Sequence, residues 1–233
     1  DALPISLALT KIGSGTLTLS GANTYTAGTT ISAGTLALGA SNVLANTGAV
    51  SVSGGTFDIG TYSDTVGAVT LSSGSITGTT GVLTGTSYSV TNSSGSTTIS
   101  AILAGTGSLT KNGPGTLTLS VTNTYTGDTT INAGTLILTG SLSSSTDVVM
   151  TNAAIWDLQA SQTVASLTMA SGNSITNSTG TSSLVVSGTS TLANSIATSG
   201  VQTYTGAVTL LADTALTTTD AAVTFSSGVT GSG

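Results

Sequence analysis

The sequence lacks cysteine and histidine, and it also contains no arginine and no glutamate. Two lysines and eight aspartates are the only formally charged residues among 233, whereas about a quarter of an ordinary soluble domain is charged. Without imidazole or thiol groups, a histidine base, a cysteine nucleophile and a His/Cys metal site are excluded. Lys11 and Lys111 are the only cations and the formal net charge is -6, so a basic surface for nucleic acid is excluded too.

Hydrophobic content separates this chain from disordered low-complexity sequences. Hydrophobic residues make up 38% of the chain and its mean hydropathy is +0.42, whereas disordered chains combine low hydrophobicity with high net charge. No apolar run approaches the ~20 residues that span a bilayer, and the sequence shows no signal-peptide pattern. We therefore expect a folded chain that is a processed product or a piece of a longer polypeptide, and the absence of cysteine is compatible with export.

Two segments offset by 100 residues are nearly identical. Residues 9–39 read LTKIGSGTLTLSGANTYTAGTTISAGTLALG, and residues 109–139 read LTKNGPGTLTLSVTNTYTGDTTINAGTLILT. A looser match follows, which aligns Phe57-Asp58-Ile59 with Trp156-Asp157-Leu158. We predict a single continuous solenoid over residues 1–233, made of supermodule one (9–108), supermodule two (109–200) and divergent coils (201–233).

A shorter period of about 20 residues organises each supermodule. The pattern Gly-Thr-apolar-x-apolar begins at Gly15, Gly34 and Gly55, and again at Gly115 and Gly134. Its alternation with period 2 is typical of short, half-buried strands. Equivalent positions in successive units favour a parallel β-helix of about 11–12 coils, stacked ~4.8 Å apart, over a sandwich. The predicted buried columns are Leu17, Leu36 and Phe57, and Leu117, Leu136 and Trp156.

The repeated motif LTKxGxGTLTLSxxNTYTxxTTIxAGTLxL resembles the autotransporter-associated β-strand repeat of bacterial surface passenger domains. Residues 61–78 resemble the segment that commonly follows it, and residues 202–229 resemble repeats of large filamentous-haemagglutinin-type adhesins. The resemblance implies an all-β, right-handed parallel β-helix, secretion to the outer surface, and an adhesive or scaffold role.

The aspartates are the only candidates for catalysis or metal binding. Carboxylate pairs that hydrolyse glycosides lie roughly 5–9.5 Å apart, but about five coils, or ~24 Å, separate the matched Asp58 and Asp157. Asp58 with Asp64, and Asp213 with Asp220, are closer in sequence, but no third acid or cation joins either pair. The acids are also too scattered for a calcium-binding β-roll. We expect solvated aspartates, no catalytic residue, no metal and no cofactor.

Two further residue types recur at matched positions in both copies. Lys11 and Lys111 are predicted to be corner lysines that keep their ammonium groups in water. Tyr25 and Tyr125 could stack on sugars if exposed, but an aromatic ladder needs successive coils and these two are 100 residues apart.

Pairs of threonines suggest a different class of function. Thr16-Leu17-Thr18 and its copy in the second supermodule resemble the arrays of ice-binding solenoids, which need the same pair on every coil. The next coil reads Thr35-Leu36-Ala37 and the one after it Thr56-Phe57-Asp58, so the pair array is predicted to stop after one step.

Both ends of the sequence are predicted to be strand-like, at Ile5–Leu9 and Ala222–Phe225. Open strand edges recruit further strands, so the expected partners are neighbouring copies or flanking repeats of the same long chain, in an end-to-end fibre. Host or cell-surface glycans or proteins are further expected partners.

We expect a structural rod of a bacterial surface adhesin or extracellular fibre, outside the cell and without enzymatic activity. The alternatives are a glycan-binding or glycan-cleaving β-helix and a threonine-array ice-binding solenoid.

Overall fold

The computed structural model describes residues 6–232, in which every strand pairing is parallel and no helix occurs. Short strands rich in threonine, valine and leucine alternate with turns of glycine, asparagine and serine, as β propensity and turn chemistry require. In chain order the strands are β1 (Leu9–Lys11), β2 (Thr16–Leu19), β3 (Thr29–Ile31), β4 (Thr35–Leu38), β5 (Val50–Gly60), β6 (Asp64–Gly78), β7 (Val82–Val90), β8 (Ser96–Ile99), β9 (Ile102–Ala104), β10 (Leu109–Lys111), β11 (Thr116–Leu119), β12 (Thr129–Ile131), β13 (Thr135–Leu138), β14 (Asp147–Met150), β15 (Ile155–Leu158), β16 (Gln162–Val164), β17 (Ser166–Met169), β18 (Ser174–Thr176), β19 (Leu184–Val186), β20 (Ser190–Ala197), β21 (Gln202–Tyr204), β22 (Val208–Thr217), β23 (Val223–Phe225) and β24 (Val229–Ser232).

The strands stack as a β-solenoid of about 11 coils, roughly 20 residues apart, which confirms the predicted fold class. The first face consists of β1, β3, β10, β12, β14, β17 and β24, with parts of β5, β6, β7, β20 and β22. The second face consists of β2, β4, β8, β11, β13, β15 and β18, with the later parts of β5, β6, β20 and β22. A third face contains β9, the sheet of β16, β19, β21 and β23, and the first parts of β6 and β7.

The predicted core columns have the predicted register. Leu17 pairs with Leu36 and Leu36 with Phe57, while Leu117, Leu136 and Trp156 pair in the same way. Five of these six side chains are fully buried. The prediction was wrong for Leu17, which is 36% exposed. Its strand, β2, pairs only with β4 within the described residues, so one side of Leu17 has no coil packed against it.

The two supermodules are not in the same register on the second face. The Leu17 column continues from Phe57 through Ile76 and Ile99 to Leu119, and Leu117 instead pairs with Thr97. Side chains in a strand alternate between faces with period 2, so a slip of two residues keeps the apolar side chains inside. On the first face no slip occurs, because an unbroken column leads from Lys11 to Lys111.

Tight turns separate the first and second faces. Gly34 and Gly134 have φ values of 66° and 70°, which favour glycine. A Cβ atom at either position would also collide with a carbonyl oxygen of the preceding coil. Gly34 and Gly134 are therefore required both by the local conformation and by the close stacking of the coils.

The first strand begins later than the sequence predicts. Residues 6–8 are not in a strand and β1 begins at Leu9, while Ile5 lies outside the described residues. The prediction for Val223–Phe225 is confirmed, since these residues form β23. Phe225 stacks on Tyr204 of the neighbouring coil, with ring centroids 5.3 Å apart. Within residues 6–232, no helix is long and apolar enough to cross a membrane.

Candidate functional site

The lysines are buried, so the prediction that their ammonium groups lie in water was wrong. Lys11 occupies an inward position of the first face, paired with Ile31, and only 6% of it is exposed. Its Nζ donates to the carbonyl oxygens of Gly13 at 2.7 Å, Ile12 at 2.9 Å and Ala33 at 3.1 Å. The side chain thus binds the carbonyls of its own turn and the turn of the next coil.

Lys111 repeats this arrangement deeper in the stack. It pairs with Val90 on one side and Ile131 on the other, and it is fully buried. Its Nζ donates to the carbonyl oxygens of Gly113 and of Ala133, the latter at 3.3 Å. Burial lowers the pKa of Lys111 to about 8. The sequence contains a signal for this burial. Side chains two residues apart in a strand point to the same side, so Lys111 faces the core together with the apolar Leu109.

Asp64 is also buried, which corrects the prediction of a solvated carboxylate. Its Oδ2 accepts hydrogen bonds from the backbone N–H groups of Val43 at 2.9 Å and Leu44 at 3.0 Å. Burial raises the pKa of Asp64, and the backbone hydrogen bonds oppose that rise. In the same way, the side-chain oxygens of Asn123 and Gln162 accept hydrogen bonds from backbone N–H groups of the preceding coil. These side chains therefore fasten the corner of one coil to the corner of the coil before it.

The matched aspartates of the two supermodules do not lie in one column. Asp58 pairs with Thr77. Asp157 belongs to a different column, which contains Thr56, two residues before Asp58, and continues from Asp157 to Thr176. Five coil steps separate the two aspartates, about 24 Å along the stack. This distance is too large for a pair of carboxylates acting on one glycosidic bond.

Each of these carboxylates is held by neighbouring groups. The Asp58 carboxylate is half-buried and accepts from Thr77 Oγ1 at 3.1 Å. Asp157 is only 5% exposed, so its predicted solvation was wrong. It accepts from Ser178 Oγ at 2.5 Å and Gln159 Nε2 at 2.8 Å. Burial alone would raise the pKa of Asp157, but hydrogen bonds from Ser178, Gln159 and Thr176 outweigh it and hold the pKa below its usual value.

The remaining acids among the described residues do not assemble a site. Asp213 and Asp220 are exposed, and Asp220 lies in a turn with a φ of 54°. No group of three or more possible metal ligands occurs in the part of the chain that the structure describes. Nor is a pocket found among those residues.

The matched tyrosines point into the solenoid and do not offer a sugar-stacking surface. The hydroxyl of Tyr125, a fully buried residue, lies 2.7 Å from Thr129 Oγ1. The half-buried Tyr25 makes the equivalent contact with Thr29 Oγ1 at 3.0 Å. Tyr88 packs against Tyr125 with ring centroids 6.0 Å apart.

The threonine pair at the start of the second face stops where the sequence predicts. Thr18 pairs with Ala37, and Ala37 with Asp58. A longer array on the first face was missed, because its members do not belong to one repeated Thr-x-Thr motif. At each coil the central outward position pairs directly with the same position of the next coil. We call this column the hydroxyl ladder: Thr10, Thr30, Ser51, Thr70, Ser89, Thr110, Thr130, Val149, Thr168, Thr191, Thr209 and Thr230.

Comparison with known proteins identifies the repeated segments. The family model described as passenger-associated-transport-repeat matches residues 9–38 and 109–138. Searches of curated proteins and of solved structures found no match to the chain. The two matched segments and the β-solenoid fold together fit the passenger domain of an autotransporter.

Proposed function

We propose that this chain is a rigid stalk section of a bacterial surface adhesin or extracellular fibre, carried outside the cell as part of a passenger domain. The observation that carries this proposal is the uninterrupted parallel pairing on the first face, from Leu9 in β1 to Ser232 in β24. Each coil rests on its neighbours alone, so length along the axis is set by the number of coils. The chain acts as a spacer.

The stalk has no catalytic role of its own. Its buried lysines bind carbonyl oxygens, and Asp64 and Asp157 accept hydrogen bonds from neighbouring coils. Groups engaged in this way hold the coils together and are not free to transfer protons to a substrate. The separation of Asp58 from Asp157 also gives no support to glycan cleavage.

The partners of the stalk are flanking repeats of the same long chain or neighbouring copies. Among the described residues, β1 pairs only with β3, and β24 only with β22. A strand with a free edge accepts a further parallel strand, and repetition of such a contact gives an open fibre. Analytical ultracentrifugation separates the two cases: self-association of this chain favours neighbouring copies, and a stable monomer favours flanking repeats.

Surface display of a shortened chain tests the stalk. The chain is fused between a signal peptide and an autotransporter membrane barrel, and the height of an N-terminal tag above the cell surface is measured by electron microscopy. Deletion of residues 32–131 joins Ile31 to Asn132 at equivalent points of the repeat and removes five coils. The tag should then lie about 24 Å closer to the membrane, with display undiminished.

Deletion of residues 32–121 is the matched control. It removes a similar length but joins the chain out of phase, which places core positions in turns and should abolish display. The stalk proposal is wrong if the in-phase deletion leaves the tag height unchanged, or if the full chain remains inside the cell when it is given this export route.

A further inference from the structure

Apart from that of Thr230, the hydroxyls of the ladder face solvent and have no hydrogen-bond partner in the described part of the chain. All twelve ladder positions are partly or fully solvent-exposed. Thr230 Oγ1 donates to the carbonyl oxygen of Val208 at 3.4 Å; within residues 6–232 no other ladder hydroxyl has a hydrogen bond. Each of the other hydroxyls therefore offers one donor and two acceptor positions to the solvent. Their Cα atoms repeat at the spacing of the strands, about 4.8 Å.

Other outward polar columns behave differently, since their side chains form hydrogen bonds with one another. Thr56 Oγ1 lies 3.2 Å from Ser75 Oγ on the second face. On the first face, Asn132 donates to Asn112 at 2.8 Å, and Ser166 donates to Asp147 at 2.6 Å. The central ladder is thus distinguished by the absence of such internal hydrogen bonds as well as by its composition.

The surroundings of the ladder limit the kind of ligand that it fits. One of the two adjacent outward columns contains small side chains at Ala49, Ala68, Ser87 and Ser108, and its acids, Asp128 and Asp147, lie at successive coils. The described ladder positions include no aromatic side chain, so the stacking that aromatic rings give to sugars is missing. A fitting ligand is uncharged, bonds to hydroxyls and repeats at every coil.

Crystalline water has these properties, and we infer that the hydroxyl ladder is an ice-binding surface. Ice presents donors and acceptors in rows whose repeat is similar to the coil spacing. Each bound water contributes little, but many contacts made together by one rigid surface add up in affinity. The solenoid holds the hydroxyls in place before binding, which reduces the entropy cost of forming the contacts. This function is additional to the stalk and does not depend on it.

Substitution of one central rung tests the inference. Thr110 lies between Ser89 and Thr130, so Thr110→Tyr places a bulky ring in the row. Thermal hysteresis and inhibition of ice recrystallisation are measured for the full chain and should be present. Thr110→Tyr should lose most of both activities. Thr116→Tyr, an outward position in the same coil but on the second face, is the matched control and should retain them.

A second variant should increase the activity. Val149 is the only rung of the ladder without a hydroxyl, and Val149→Thr completes the row between Thr130 and Thr168. We expect larger thermal hysteresis from Val149→Thr at equal concentration, with an unchanged circular dichroism spectrum.

Two outcomes would overturn the inference. One is a folded full chain without thermal hysteresis or recrystallisation inhibition. The other is equal loss of activity in Thr110→Tyr and Thr116→Tyr. A pull-down with microcrystalline cellulose tests the competing ligand: retention of the chain that Thr110→Tyr abolishes, without any effect on ice, would assign the ladder to a polysaccharide instead.

Discussion

Replacing Lys111 with methionine tests whether the buried ammonium group destabilises the solenoid at neutral pH. The pKa of Lys111 is lowered from 10.5 to about 8 in the folded protein because the group is buried. Between these values the unfolded chain binds more protons than the folded one, so the free energy of unfolding rises with pH. Each pKa unit corresponds to about 1.4 kcal/mol, which gives a rise of about 3 kcal/mol across the interval.

The difference between the two proteins isolates this effect. Burial raises the pKa values of Tyr88, Tyr125 and Tyr204, so above pH ~10 the unfolded chain loses tyrosine protons that the folded one keeps, and stability falls. These tyrosines are present in both proteins, so their contributions cancel. The free energy of unfolding of the wild type minus that of Lys111→Met should therefore increase steadily from pH 8 to pH 10.5.

Urea unfolding at a series of pH values measures the difference, and NMR gives the pKa directly. With only two lysines in the chain, ¹³Cε labelling yields two lysine signals, and Lys111→Met assigns them. The Lys111 signal should titrate near pH 8. A stability difference that stays flat, together with a titration midpoint at or above the ordinary lysine value, would refute the reasoning: it would show that the carbonyls of Gly113 and Ala133 offset the loss of hydration.

Three further predictions concern packing and metals. Trp156 is fully buried and its Nε1 has no hydrogen-bond partner, so Trp156→Ala should cost about 3–5 kcal/mol in urea unfolding, and a red-shifted, readily quenched native fluorescence would contradict its burial. Leu117→Ala should cost about 2–5 kcal/mol and Leu17→Ala clearly less, because Leu17 is 36% exposed and Leu117 is buried; equal costs would show that both sites are equally packed. Addition of EDTA should leave the Tm unchanged, and a fall of many degrees would reveal a metal needed for folding.

The fold was predictable because one physical signal repeats at two scales. Alternation with period 2 marks the strands, and the phase of Leu36 relative to Phe57 indicates stacking rather than a sandwich. The environment of Lys11 and of Asp64 was not predicted, because charge alone suggests solvent. Their burial depends on backbone groups of an adjacent coil: the carbonyl of Ala33 in the following coil for Lys11, and the N–H of Val43 in the preceding coil for Asp64. Such partners are identified only once the register between coils is known.

The hydroxyl ladder shows the same difficulty in another form. Thr10 and Thr110 belong to the repeated motif, but Ser51 and Thr168 come from segments with little resemblance to it. Only the pairing of adjacent strands places all of them in one column. Pattern matching within the sequence detects repeated motifs, whereas a solenoid surface is built from residues that occupy equivalent positions in successive coils.

The two-residue slip on the second face affects how such a rod can change length. Addition or loss of a whole 100-residue unit continues the first face unaltered, since Lys11 and Lys111 share a column. On the second face every added unit is displaced by two positions, as Leu119 rather than Leu117 continues the column of Leu17. The core tolerates this displacement because a shift by two residues leaves every side chain on the same side of its strand. Growth or shortening by duplication and deletion of whole units therefore leaves the residue pattern of the first face unchanged. On the second face, each unit shifts the pattern by two positions along the strands.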